Sequence, residues 1–158
     1  MKKLLLFPLA AALAVISAPS PAQDAPVLGH WMTAISVADL DAETAFFKKL
    51  GFTVEKDTTF GPGIPVRWLV SGNERIELLQ IPNSKPPSDP RAKPPGHAAT
   101  QGISQITLST SDIAATKAAL AAQGLTPAMD VTEVAPLGVK VMYFQDPEGN
   151  AIEIAQKL

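Results

Sequence analysis

The 158-residue chain contains no cysteine, only two histidines and a single tyrosine. Without cysteine there can be no disulfide framework, thiolate metal site or lipid-modified cysteine anchor, so stability must come from a packed core. Charged residues make up 18% of the chain and the formal net charge is −2. No basic stripe is present to neutralise phosphates, which argues against nucleic acid as a partner. What remains is a chain 46% hydrophobic, suited to one globular domain of ordinary size.

The first residues stand apart from that domain. Met1-Lys2-Lys3 is basic, residues 4–16 form a thirteen-position apolar run, and Ser20-Pro21-Ala22 is a small-x-small cleavage site. A spanning helix needs ~20 apolar residues, so this run is short for one. Residues 1–22 are therefore expected to be a cleaved secretory signal peptide. The mature protein would then be periplasmic or secreted, with no stable membrane anchor. Loss of Lys2 and Lys3 changes the formal charge from −2 to −4.

After a leader over 23–28, Thr33, Ile35 and Val37 alternate with Met32, Ala34 and Ser36, which predicts a half-buried strand. Asp39 is placed to cap a helix over 40–50, with Ala42, Ala45, Phe46 and Leu50 as its apolar stripe and Gly51 as its stop. Strand-like runs follow at 52–58, 66–70 and 75–81, separated by Gly61-Pro62-Gly63 and Ser71-Gly72-Asn73. Residues 82–100 hold six prolines and little to bury, which predicts an extended connector in which His97 is solvated.

The pattern then repeats. Residues 29–53, moved forward by 73 positions, fall without a gap on 102–126. Asp39 meets Asp112, Gly51 meets Gly124 and Thr53 meets Thr126. At an offset of 76, Ile76-Glu77-Leu78 meets Ile152-Glu153-Ile154. Matches at helix caps, helix stops and strand ends indicate a duplicated βαβββ unit. Module one spans 29–81 and module two 101–158, together a single domain over 29–158. The expected fold class is α+β: two tandem βαβββ modules whose curved sheets enclose a cavity, with the helices outside. Glu77 and Leu79 in one copy, and Glu153 and Ala155 in the other, alternate with the helix-facing Ile and Leu and so face that cavity. Two carboxylates there would repel unless one is protonated or a cation intervenes.

The Val37-Ala38-Asp39-Leu40 junction, Phe46-Phe47-Lys48-Lys49-Leu50-Gly51-Phe52 and the ending Asp146-Pro147-Glu148-Gly149-Asn150-Ala151-Ile152-Glu153 resemble the vicinal oxygen chelate superfamily. That group comprises glyoxalases, bleomycin-resistance proteins and extradiol dioxygenases. The resemblance runs from about Gly29 to Gln156. It implies metal positions at Met32, Glu77, Gln105 and Glu153, one from each first and each fourth strand. Glu77, Gln105 and Glu153 supply oxygen donors for a divalent Ni, Mn, Fe or Zn. Met32 departs from the pattern, because a thioether is a soft partner beside three oxygens. His30, two residues earlier, is either a partly exposed strand-start histidine or a substitute ligand brought in by a bulge.

Two functions follow. In the first, a chelated metal acts as a Lewis acid in lyase or isomerase chemistry, with Glu77 or Glu153 as general base. In the second, the protein binds a small molecule without metal, as bleomycin-resistance proteins do. Met32, Ser36, Leu79 and Thr107 are the expected substrate-binding residues in either case. The chain lacks the histidines of an extradiol iron site. Closure of the modules within one chain and closure across a homodimer are both open.

Overall fold

The computed structural model describes residues 29–87, 91–99 and 101–158. The expected signal peptide and leader, with residues 88–90 and 100 of the connector, lie outside the described residues. Gly29 and His30 group with the residues before them, and Trp31–Leu158 form a second compact unit. The fold below is that of this second unit.

Module one runs β1 (Thr33–Ser36), α1 (Leu40–Lys49), β2 (Thr53–Phe60), β3 (Ile64–Ser71) and β4 (Glu74–Leu79). Module two repeats it as β5 (Gln105–Ser109), α2 (Ile113–Ala122), β6 (Met129–Val134), β7 (Val139–Gln145) and β8 (Ala151–Lys157). Each forms a four-stranded sheet, ordered β1-β4-β3-β2 and β5-β8-β7-β6. The first and fourth strands pair in parallel and the others antiparallel: the helix crosses from the first strand to the second, at the opposite edge of the sheet, and two antiparallel connections bring the fourth back beside the first. The register is duplicated as well: Ala34 pairs with Glu77, and Thr107 with Glu153.

The helix caps are where the duplication places them. Asp39 accepts from the N–H groups of Asp41 and Ala42, and Asp112 accepts from that of Ala115. Gly51 and Gly124 both take φ values in the left-handed region that ends a helix, +89° and +78°. Gln80 and Gln156 then tie each helix start to its own fourth strand, through the Ala38 carbonyl and the Ile113 N–H.

One core joins the two modules within the chain. It packs Val37, Phe47, Leu69 and Leu78 with Met142, Phe144, Ile152 and Ile154. The helices contribute unequally. α1 buries Leu40, Glu43, Thr44, Phe46 and Phe47, whereas α2 buries only Ile113 and Leu120. The expected stripe through Ala42, Ala45, Phe46 and Leu50 is therefore corrected: Ala45 is exposed and the buried arc turns toward Phe47. Burying a second phenyl ring yields more than burying an alanine methyl, so bulk sets the helix rotation.

The connector also differs from expectation. Pro94 is buried, and His97 lies on a short 3₁₀ turn (Gly96–Ala99) with 7% of its surface exposed. It is not solvated. Its polar context in sequence hides a partner that only the folded sheet supplies.

Candidate functional site

On each sheet the fourth strand turns one carboxylate to the face away from the helix, and the strand directly across supplies an aromatic donor. Trp68 on β3 pairs with Glu77 on β4, and Tyr143 on β7 pairs with Glu153 on β8. The indole Nε1–H donates to Glu77 Oε1 at 2.8 Å, and the phenol O–H donates to Glu153 Oε1 at 2.5 Å. Neither donor is visible as a repeat, because Trp68 and Tyr143 are 75 residues apart and so match neither sequence offset.

Module two builds further on its carboxylate. Thr107 donates to Glu153 Oε2 at 2.6 Å, and the Gln105 amide nitrogen donates to the same oxygen at 2.8 Å. With its nitrogen so placed, Gln105 presents Oε1 to His97 Nε2, 2.7 Å away. The imidazole ring also lies 5.2 Å from the Tyr143 ring. Burial, together with the hydrogen bond to the Glu153 carboxylate, pushes the Tyr143 phenol up to about 12, so it stays a proton donor at neutral pH. Around this network Val141, Tyr143 and Ala151 are buried against Met129, Val139 and Ala155, a small second core on the cavity-side face.

In module one the equivalent face is open. Position 34 is alanine where module two has Thr107, and Met32, half-buried ahead of β1, stands where module two has Gln105. Glu77 is half-buried and its carboxylate accepts from Trp68. Trp31, 62% exposed, meets Trp68 edge-on with ring centroids 5.7 Å apart. Arg75 lies near both rings and Lys56 Nζ sits 4.9 Å above Trp68.

The sequence candidates thus separate into two groups. Gln105, Thr107 and Glu153 meet in one network, while Glu77 stands in another, and no hydrogen bond joins the two carboxylates. A cleft of ≈ 670 Å³ opens along the seam between β1 and β5, with Ile35, Ser36, Gln105, Ile106, Arg91 and Glu148 among its walls. Ser36 and Gln105 line it; Met32, Glu77, Leu79, Thr107 and Glu153 do not.

The donor set does not suit a divalent metal. Both Glu153 oxygens already accept short hydrogen bonds, Gln105 Oε1 is taken by His97, and Met32 offers only sulfur. Among the described residues no group of three His, Asp or Glu side chains is arranged to hold a metal ion.

A second acidic cluster escaped the sequence reading. Glu43 on α1 is fully buried; its Oε1 accepts the Glu148 N–H at 3.2 Å and its Oε2 has no partner among the described residues. Burial, with Asp146 and Glu148 nearby, pushes its carboxyl up to about 8. Asp146, held by Asn150 and the Glu148 N–H, is also raised by burial. Glu148 in turn accepts from the N–H groups of Ala38 and Asp39, fastening the β7–β8 turn of module two to the α1 start of module one. The spacing Leu40, Glu43, Phe47 places Glu43 on the buried arc and was the available signal.

A family model described as Glyoxalase/Bleomycin resistance protein/Dioxygenase superfamily matches residues 27–154. The fold is similar to that of a glyoxalase family protein from Enterococcus faecalis at 21% identity, covering 81% of this chain and 97% of that one, with a TM-score of 0.66. It is likewise similar to a glyoxalase family protein from Bacillus cereus at 21% identity, covering 85% and 97%, TM-score 0.66. A domain from Frankia sp. EAN1pec, described as glyoxylase/bleomycin resistance protein/dioxygenase, has 17% identity, 84% and 94% coverage and a TM-score of 0.66. No curated protein matches the chain in sequence.

Proposed function

The chain belongs to the Glyoxalase/Bleomycin resistance protein/Dioxygenase superfamily, and from that premise we propose that it is an exported, metal-independent binding protein for a small oxygenated molecule. Glu153 carries this reading. A carboxylate serving as a metal ligand or general base needs a lone pair directed at its target, and here three side-chain donors take three of its roughly four lone-pair sites. Bidentate recruitment of Glu153 to a metal would displace at least one of the Tyr143, Thr107 and Gln105 donors, at roughly 1–3 kcal/mol if it stays buried. Glu77, the other family-pattern carboxylate, belongs to a separate hydrogen-bond cluster with Trp68.

The seam cleft supports a binding role. Its volume falls within the range of small-molecule sites, roughly 300–1,000 Å³. Ile35 and Ile106 offer apolar surface, and Ser36 and Arg91 offer hydrogen bonds to oxygen atoms.

Metal analysis of the mature protein, purified without chelators or a His-tag, tests the proposal. Expected are substoichiometric metal and an unchanged melting temperature on adding Ni, Mn, Fe or Zn. Stoichiometric metal together with a raised melting temperature would overturn it and return the lyase or isomerase function.

A further inference from the structure

We propose that the groove between the end of α1 and the start of α2, on the helix side of the two sheets, binds a small organic cation, a primary ammonium on a short apolar tail. It is a second site, beyond the binding function above, and it shares no wall residue with the seam cleft.

The duplication shows why the groove exists. Moving module one forward by 73 positions sets Glu43 on Thr116 and Phe47 on Leu120. In module one the chain fills its own version of this space. Glu43 is fully buried, and the turn over residues 146–150 closes on the α1 start through Glu148. In module two a threonine stands for the glutamate and a leucine for the phenylalanine. The corresponding turn, between β3 and β4, is only residues 72–73. Smaller side chains under a shorter turn leave a groove of ≈ 420 Å³, within the range of small-molecule sites, roughly 300–1,000 Å³.

The lining asks for a hydrogen-bond donor. Its floor is apolar, with Leu50, Phe52, Leu120 and Ile154. Beside that floor, two hydroxyls have no hydrogen to offer. Thr116 donates to the Asp112 carbonyl at 2.7 Å, so in the 2.8 Å bond between Thr110 and Thr116 it is Thr110 that donates. Thr110 also accepts the Asp112 N–H at 3.2 Å. Each oxygen keeps only a lone pair, and a ligand that meets it must donate.

The lining also asks for positive charge. Among the described residues Glu74 is the one charged group on it, and no Lys or Arg forms an ion pair with Glu74. The groove passes the C-terminal end of α1 at Leu50, the pole of a helix that favours a cation. The opposite pole, at the start of α2, already carries the Asp112 carboxylate as its cap. An anion finds no positive side chain here, and a neutral alcohol leaves Glu74 without a counter-charge. An alkylammonium answers the lone pairs, the carboxylate and the apolar floor together.

Butylammonium, butanol and butyrate are the probes, each titrated into the protein and followed through the backbone amide resonances of Gly72, Ser109 and Thr110. Butylammonium should bind about threefold tighter than butanol, the scale of one exposed ion pair, and butyrate should not bind. Glu74→Gln, on an exposed turn, should abolish the preference for butylammonium and leave butanol affinity unchanged. Thr116→Val should weaken both donors; if it fails to fold, Glu74→Gln decides alone. Butyrate binding as tightly as butylammonium, a preference that survives Glu74→Gln, or resonances indifferent to all three probes overturns the proposal. Because no residue lines both sites, such a failure leaves metal-independent binding in the seam cleft untouched.

Discussion

Glu77 and Glu153 hold the same register position in two sheets of the same strand order, and the surroundings of the two carboxylates differ. Each receives a proton donor from the aromatic residue directly across the ladder. Beyond that first donor, module two adds Thr107, Gln105 and a histidine from the connector, where module one has Ala34, Met32 and an exposed Trp31. Duplication copied the backbone and its pairing. The chemistry of each face was set afterwards by what neighbouring segments lay upon it.

Substitutions at equivalent positions can break or sharpen this contrast. The largest expected effect separates the helices. Phe47 and Leu120 are equivalent through the offset of 73, and both are buried. Phe47→Ala should cost about 3–5 kcal/mol and Leu120→Ala about 2–3 kcal/mol, read by chemical denaturation. Equal losses would mean that α2 anchors its sheet as firmly as α1.

Next come the carboxylates. Glu153→Gln keeps an oxygen for Thr107 and Gln105 only by turning its amide N–H₂ to Tyr143, whose hydroxyl must reverse to accept, and it removes the charge from all three hydrogen bonds, which should cost about 2 kcal/mol. Glu77→Gln keeps an oxygen for Trp68 and should cost under about 1 kcal/mol. Near-identical losses would show that the additional donors in module two contribute little.

The last contrast is a pH dependence confined to the module-one helix. Glu43 titrates near 8 in the folded chain against an unperturbed 4.5, so the folded state binds the extra proton between those values. Its contribution to stability is full below pH 4.5 and declines as pH rises toward 8, by at most ~1.4 kcal/mol per pH unit. Glu43→Gln should flatten that decline in denaturation curves taken across the window. A change at its module-two counterpart, Thr116→Val, should leave the slope as it is. An unaltered slope in Glu43→Gln would place the titration elsewhere.

Much of the frame was legible before folding. The caps at Asp39 and Asp112, the stops at Gly51 and Gly124 and the face of Glu77 and Glu153 follow from local rules that act within one turn or one strand. Trp68 and Tyr143 were hidden because a cross-strand partner depends on register, and the two copies differ by a residue or two in loop length. Glu43 was obscured by its charge, since a glutamate in a helix is ordinarily read as solvated. His97 was obscured by its company: prolines and small polar residues suggest an open linker, and nothing local reports that a folded acceptor waits for an imidazole.

The fastening of Glu148 to the start of α1 has a consequence for how the chain is made. The N-terminal half leaves the ribosome first, yet the carboxylate that satisfies the Ala38 and Asp39 N–H groups follows Ala38 by 110 positions. Until Glu148 arrives, those two exposed N–H groups have only water to bond, although Asp39 already caps the helix. The closing turn of the second module thus adds to the entrance of the first a contact that the first cannot supply itself.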